Sequence, residues 1–445
     1  MKSIIFSSNK SGGGKTTVTL GIINSLIRKG YKVQPYKVGP DYIDTAFHSY
    51  ITGNKSRNLD LFLTGEDAVK QIYDENSKEK DLGIIEGVMG LYDGKGIENI
   101  YSTAHVAKTL NLPVILIISS SGQSITLCAE INGIKNFDDV NIAGVILNNI
   151  TESYYKILKL AIEKHCNLKV FGYIPKDENI NLDSRHLGLV QSSEIHDLKE
   201  KIDYISDLAY KHIDMESLLE SFKEVTLSYE PIRDIKYRNI NVSIARDKAF
   251  SFYYEENIEI LKKASNVKFF SPLNDECIPK DTDFLYIGGG YPEIFKEELS
   301  KNESMRISIN NALKSGTFCY AECGGLMYLC DSIEGSDMVG FFKGDAVMNK
   351  RLQNFGYATL KVTEGTKLLP KGFTMNCHEF HKSSVNLEEE KIYELKKILY
   401  NGNTKIWNCG YYKNNTLGSY AHLHFYNNMG FIEGLLKGVK IEENI

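Results

Sequence analysis

Lys2-Ser-Ile-Ile-Phe-Ser-Ser-Asn-Lys-Ser-Gly-Gly-Gly-Lys-Thr-Thr17 sets a short apolar run, a glycine loop and the start of a helical pattern side by side. The helical spacing of apolar residues continues from Val18 to Lys29. The segment therefore reads strand, loop, helix, the order a phosphate-binding loop requires. Gly12, Gly13 and Gly14 let successive amides turn toward one anion, and the helix N-terminus adds its dipole. In that frame Lys15 reaches the outer phosphates, Thr16 offers a hydroxyl to Mg²⁺, and Thr17 completes the nucleotide-binding turn. The usual spacing asks for glycine where Asn9 stands, so the match is to the variant loop carrying an additional lysine, Lys10. ATP is the expected ligand.

Outward from this loop, apolar strand candidates alternate with helical stretches: Ser3–Ser7, Lys32–Lys37, Gly83–Glu86, Val114–Ser119, Ile142–Asn148 and Lys169–Ile174. Such alternation predicts a doubly wound parallel sheet with helices on both faces. The chain is expected to divide into an ATP-binding domain at 1–190, a charged helical and linker segment at 191–238, and a second α/β domain at 239–445. A new strand-helix register starts at Asn241–Ala245, passes through Phe284–Ile287 and Thr317–Ala321, and is expected to run on to the C-terminus.

Open α/β sheets bind ligands beyond the carboxyl ends of their strands, and acids stand at two such ends. Lys37-Val-Gly-Pro-Asp-Tyr-Ile-Asp44 follows the second strand, where Asp41, Tyr42 and Asp44 are placed to order a metal-bound nucleotide or a substrate. Turn chemistry alone also explains aspartate beside Gly-Pro. Ile85-Glu-Gly-Val-Met-Gly-Leu-Tyr-Asp-Gly94 follows the third. Glu86, directly behind a buried run, is a metal candidate together with Thr16 and Asp44, and Asp93 can face the substrate.

The second domain carries a different device. In Phe318-Cys-Tyr-Ala-Glu-Cys-Gly-Gly-Leu-Met-Tyr-Leu329, Cys323 lies between a short strand and an apolar helix with two glycines behind it. A side chain on such a turn is pushed out of the backbone, and the next amide, that of Gly324, is free to stabilise an oxyanion. A small buried cysteine in a glycine turn fits the same letters. Tyr286-Ile-Gly-Gly-Gly-Tyr-Pro-Glu293 could donate the other half of the oxyanion hole from Gly289 or Gly290. Thiol chemistry wants a base, and Ser419-Tyr-Ala-His-Leu-His-Phe425 sets His422 and His424 on one face of an expected strand. Cys377-His-Glu-Phe-His381 adds a second histidine pair.

The chain has 445 residues, enough for two or three cores, and a formal charge of −5, which gives no electrostatic case for nucleic acid or an anionic membrane. No apolar run reaches the ~18 residues of a membrane span, and Met1 leads straight into a strand without a signal-peptide pattern, so a cytoplasmic location is expected. The eight cysteines form no C-x-x-C pair and suggest neither disulfides nor zinc.

Taken in order, the variant phosphate loop, Lys37–Asp44, Glu86–Gly94, Ala321–Met327, His378–His381 and Ser419–His424 together resemble the cobyrinic acid a,c-diamide synthase family over essentially the whole chain. The resemblance implies a first domain similar to dethiobiotin synthetase, activating carboxylates with Mg²⁺ and ATP. It implies a second domain of the class I glutamine amidotransferase type, as in cobyric acid synthase. The substrates would be L-glutamine, ATP and a corrinoid whose a and c acetate groups become amides through acyl phosphates, with a homodimer left open. By position, Cys323 is the nucleophile and His424 raises its reactivity, with His422 as a fallback base. Glutaminases with a Cys-His-Glu triad carry an acid two residues after the histidine. Here that place after His424 holds Tyr426, so the resemblance leaves a Cys-His dyad whose imidazole lacks an assigned orienting partner. A related amidotransferase (cobyric acid synthase or a nickel-sirohydrochlorin amidating enzyme), a partitioning-type ATPase switch and a non-catalytic binding protein are the competing readings.

Overall fold

The computed structural model describes residues 1–120, 122–180, 184–185, 188–189 and 197–439. The chain separates into two compact units, Met1–Leu61 with Gly65–Pro231, and Phe62–Thr64 with Ile232–Ile445.

In the first unit β1 (Lys2–Ser8), β2 (Val33–Val38), β3 (Arg57–Leu59), β4 (Leu82–Glu86), β5 (Val114–Ser119), β6 (Ile142–Ile150) and β7 (Lys169–Pro175) alternate with α1 (Lys15–Arg28), α2 (Ile43–Thr52), α3 (Glu66–Ser77), α4 (Thr103–Leu110), α5 (Ile125–Phe137) and α6 (Glu152–Cys166). The strands form one parallel sheet in the order β3-β2-β4-β1-β5-β6-β7. Helices cover both faces, so the strands are apolar throughout rather than alternating. Ile4, Ile5 and Phe6 are fully buried, each such burial stabilising by about 1.5–3 kcal/mol. Because β1 lies between β4 and β5 and β2 pairs with β4, the loops after β1, β2 and β4 open side by side at the carboxyl end of the sheet. The ladder sets Lys37 opposite Glu86.

The expected boundary near 190 lies outside the described residues, as do short stretches either side of the two-residue strands β8 (Ser184–Arg185) and β9 (Gly188–Leu189). The charged stretch is helical over Leu198–His212 and Met215–Glu220, and these helices belong to the first unit. Helix α7 (Leu198–His212) lies so close to α1 that a Cβ on Gly21 would stand 2.7 Å from Ile205 Cγ2. Its apolar stripe, with α8 (Met215–Glu220), joins the core of the sheet through Ile205, Ala209, Met215 and Leu218. Strand β10 (Lys223–Glu224) then pairs antiparallel with β1.

The second unit begins as expected, with β11 (Asn241–Ala245), β12 (Phe250–Phe252), α9 (Glu255–Ala264), β13 (Asn266–Phe270), β14 (Phe284–Ile287) and β15 (Gly289–Gly290), followed by α10 (Lys296–Lys301), α11 (Glu303–Lys314), β16 (Phe318–Glu322) and α12 (Gly324–Leu329). From there the strand-helix register does not continue. Two short strands, β17 (Ser332–Ile333) and β18 (Ser336–Asp337), lead into the long strands β19 (Gly344–Val362), β20 (Thr374–Leu387), β21 (Lys391–Ile398) and β22 (Thr404–Lys413), then β23 (Thr416–Ser419) and α13 (Met429–Gly438). The sheet order β13-β11-β14-β16-β23-β22-β21-β19 joins a parallel half to an antiparallel half at β23. Parts of these long strands, Ala358–Val362 most clearly, alternate buried and exposed positions, the signature of a sheet with one wet face.

Candidate active sites

In the first unit the glycine loop is built as its sequence demands. Gly14 caps α1 at φ +89° and Gly12 sits at φ +71°, conformations that cost a side-chain-bearing residue. A Cβ on Gly14 would fall 1.9 Å from Asn148 Nδ2, so glycine is the residue that fits there. Ser119 Oγ and Asn148 Nδ2 donate to the Gly13 carbonyl at 3.0 and 3.3 Å, anchoring the loop to the ends of β5 and β6. Lys15 folds back over the loop, donating to the carbonyls of Met89 at 2.5 Å and Lys10 at 3.3 Å. Lys10 itself is exposed.

Behind the loop lies a buried charge cluster. Thr16 Oγ1 donates to Glu86 Oε1 at 2.6 Å and lies 3.4 Å from Asp44 Oδ2. Lys37, which sequence reasoning left without a role, places Nζ 2.6 Å from Asp44 Oδ2 and 2.9 Å from Glu86 Oε1. His48 Nε2 meets the other Glu86 oxygen at 2.8 Å. Burial alone would raise the Glu86 pKa, but Lys37, His48 and Thr16 together hold it well below the usual carboxylate range. Burial and the neighbouring Asp41 push Asp44 up to about 7. Burial and Lys37 bring Lys15 down to about 8. Among the described residues no cluster of three or more His, Cys, Asp or Glu could hold a metal by itself. Thr16, Asp44 and Glu86 nevertheless form a hard-oxygen set of the kind Mg²⁺ accepts when phosphate oxygens and water complete its shell.

The other two expected acids are engaged locally. Asp41 Oδ1 accepts the amides of Ile43 and Asp44, both at 2.9 Å, and so fixes the start of α2. Asp93 Oδ2 accepts the Gly90 amide at 2.8 Å and closes its own glycine loop. Tyr42 is half-buried at the N-terminus of α2.

In the second unit Cys323 occupies φ +49°, ψ −101° between β16 and α12, a strained backbone of the kind stored at functional turns. The strain is locked by Cys323 N–H donating to the Ser419 carbonyl at 2.7 Å. Burial, then Glu293 and Glu379, push its thiol up, so the resting sulfur is protonated. The glycines converge on this elbow: a Cβ on Gly324 would stand 3.2 Å from the Gly290 amide nitrogen, and one on Gly289 would stand 2.6 Å from His422 Cε1.

The two histidines do not share a strand face. Strand β23 stops at Ser419, and His422 forms an isolated antiparallel bridge with His378. Directly after the strand, Tyr420 N–H goes to Cys409 Sγ and Ala421 N–H to Ser419 Oγ; further on, Glu322 Oε1 accepts Leu423 N–H at 3.1 Å, and Asn257 binds both the Leu423 carbonyl and the Phe425 amide. His424, fully buried, faces Glu256 with Nε2 3.5 Å from Oε2, lies against the Tyr254 ring, and accepts the Tyr426 amide on Nδ1. His422 instead lies between Gly289 and Glu322, with Nδ1 3.9 Å from Glu322 Oε2. Burial, then His378 and His381, bring its pKa down to about 3, so the resting imidazole is neutral. Gly289 thus lies against the His422 ring and the Gly290 amide lies beside Gly324 of the elbow, while the expected base, His424, has a separate acidic neighbour in Glu256. Glu322 was missed although it adjoins Cys323 in the sequence; its tie to His422 crosses from β16 to the segment after β23.

A phosphate-binding loop with buried acids in one unit, and an elbow cysteine with buried histidines following the next strand of the sheet in the other, define a glutamine amidotransferase coupled to nucleotide use. Residues 4–190 match the CobQ/CobB/MinD/ParA nucleotide binding domain, and residues 241–430 the CobB/CobQ-like glutamine amidotransferase domain. The cobyrinate a,c-diamide synthase of Clostridium tetani is 60% identical over 441 residues, spanning 98% of this chain and all of that protein. Those of Clostridium acetobutylicum and Listeria monocytogenes serovar 1/2a are 56% and 41% identical over 98% and 99% of this chain, each matched along its full length. The chain belongs to the cobyrinate a,c-diamide synthase family.

Proposed function

We propose that this protein amidates the a and c acetate carboxylates of cobyrinic acid, using ATP to activate each carboxylate and glutamine as the nitrogen source. The observation that carries the reading is the coexistence, in one chain of this family, of a complete nucleotide loop and a complete nucleophile elbow. Phosphoryl transfer to a carboxylate oxygen gives an acyl phosphate, whose phosphate then leaves as ammonia attacks the carbonyl carbon. Lys15 places a positive charge on the transferred group. Thr16, Asp44 and Glu86 would hold Mg²⁺, which neutralises phosphate charge when bound. Asp41, Tyr42 and Asp93 line the loops from which the macrocycle or its reacting arm is contacted. In the second unit Cys323 attacks the glutamine amide, amides of Gly290 and Gly324 receive the oxyanion, and a histidine moves the protons.

The test is incubation of the purified protein with cobyrinic acid, Mg·ATP and glutamine, followed by mass spectrometry. The expected product has lost one mass unit for each carboxylate converted to amide, at two positions, with ATP hydrolysis stimulated by the corrinoid. Amidation of a different tetrapyrrole but not of cobyrinic acid would reassign the substrate.

A further inference from the structure

We propose that Glu322, the residue immediately before the nucleophile, orients the imidazole of His422 and stabilises it once protonated, completing a Cys323-His422-Glu322 relay. The inference rests on the glutaminase reading above and adds to it the group that holds the base.

The carboxylate is fixed before it meets the histidine. Glu322 ends β16 and is 2% exposed. Its Oε1 accepts the Tyr320 hydroxyl at 2.8 Å and the Leu423 amide at 3.1 Å, and its Oε2 accepts the Tyr286 hydroxyl at 2.9 Å. With three donors in place, the remaining approach on Oε2 faces His422 Nδ1 at 3.9 Å. The segment that carries the imidazole is held as well. Backbone bonds to His378 run both ways at 2.9 and 3.1 Å, and the ring lies on Gly289, where a Cβ would stand 3.4 Å from Nε2. Nδ1 thus faces the acid while Nε2 lies on the side of the Gly289-Gly290 turn.

The proton bookkeeping closes. Sγ bonds to the amide carbon as its proton passes to His422 Nε2, and the carbonyl π electrons move to oxygen. The imidazolium then donates Nδ1–H to Glu322, and this contact shortens from its resting length as charge develops. The Nε2 proton goes to the amide nitrogen as the C–N bond breaks and ammonia leaves. Water hydrolyses the thioester by the same exchange in reverse. The groups around the pair are Tyr286, Tyr320, Tyr253 and Tyr393 near the acid and His378 and His381 near the base. Burial pushes Glu322 up to about 7, so it gains its charge close to neutral pH. Deprotonation above that point favours the imidazolium, and glutaminase activity rises with pH through it.

The experiment measures glutamate release from glutamine and, separately, corrinoid amidation from glutamine or from ammonium, for the full-length protein and its variants. Glu322→Gln is expected to lower glutaminase kcat at least ~100-fold with little change in KM, to flatten the rising limb near pH 7, and to keep synthesis from ammonium. Glu322→Asp is expected to recover part of the rate and the limb. Glu322→Gln within ~3-fold of the parent, or equal loss with both nitrogen sources, overturns the proposal, the second outcome meaning that the acid holds up the fold. Glu256→Gln is the counter-arm: a loss there while Glu322→Gln stays near the parent reassigns the base to His424. Persistent glutaminase activity in Cys323→Ala would instead remove Cys323 as the nucleophile, and with it the site on which this inference rests.

Discussion

Lys15 sits in a balance that a ligand can tip. Burial and Lys37 drive its ammonium toward neutrality at about pH 8, whereas a bound polyphosphate favours the charged form. ATP binding above about pH 8 is therefore expected to take up a proton and to weaken as pH rises further. Calorimetric titration in buffers of different ionisation enthalpy reads this directly, and Lys15→Ala is expected to abolish the uptake. The same variant should lose amidation from glutamine and from ammonium alike, by ~100-fold or more, because activation precedes nitrogen delivery. Near-normal amidation by Lys15→Ala would show that the loop is not the activating site. Thr16→Ala and Glu86→Gln are expected to need ~10-fold more Mg²⁺ for half-maximal activity; an unchanged Mg²⁺ titration would remove that residue from the metal set. The glycine loop was legible because its chemistry is local: spacing alone sets the φ angles and the lysine reach. Lys37, His48 and Glu322 were not, since each acts through a partner far away in the sequence, as when Lys37 meets Glu86 across β2 and β4 or His48 on α2 reaches the same acid.

At the scale of elements, the buried parallel strands announced themselves as unbroken apolar runs, and Val114–Ser119, Asn241–Ala245 and Phe284–Ile287 stand where the sequence put them. The antiparallel half did not, because its long strands mix polar and apolar residues and break register between Met348 and Gly356. The same weakness hid the end of β23, after which side chains rather than ladder partners take the amides of Tyr420, Ala421, Leu423 and Phe425. The turn carrying Gly289 now has a testable duty. A methyl there meets the His422 ring at 2.6 Å, tighter than van der Waals contact allows, and a ring held by backbone bonds on its own segment has little room to retreat. Gly289→Ala is expected to lower glutaminase activity at least ~10-fold through a displaced base while leaving synthesis from ammonium in place. Unchanged glutamine turnover in this variant would mean that His422 does not stand at the working position.

At the scale of the whole chain, two units each carry one chemistry, and the product needs both. The phosphate-binding unit makes a carboxylate susceptible to attack, and the cysteine unit makes the attacking nitrogen. If Cys323 serves only to release ammonia, Cys323→Ala should lose glutamine-dependent synthesis by ~10³-fold or more and retain synthesis from high ammonium at raised pH, where free NH₃ replaces the nitrogen drawn from glutamine. His422→Asn should follow the same pattern, since a protonated buried thiol needs a base to become a nucleophile. His424→Asn tests the alternative position: it should be the milder of the two if His422 takes the proton, and the more severe if His424 does. The decisive comparison is the ratio of the two nitrogen sources in one folded preparation. Equal loss from both in Cys323→Ala would mean that the cysteine supports the strained turn between β16 and α12 rather than the chemistry, and the division of labour between the units would fall with it.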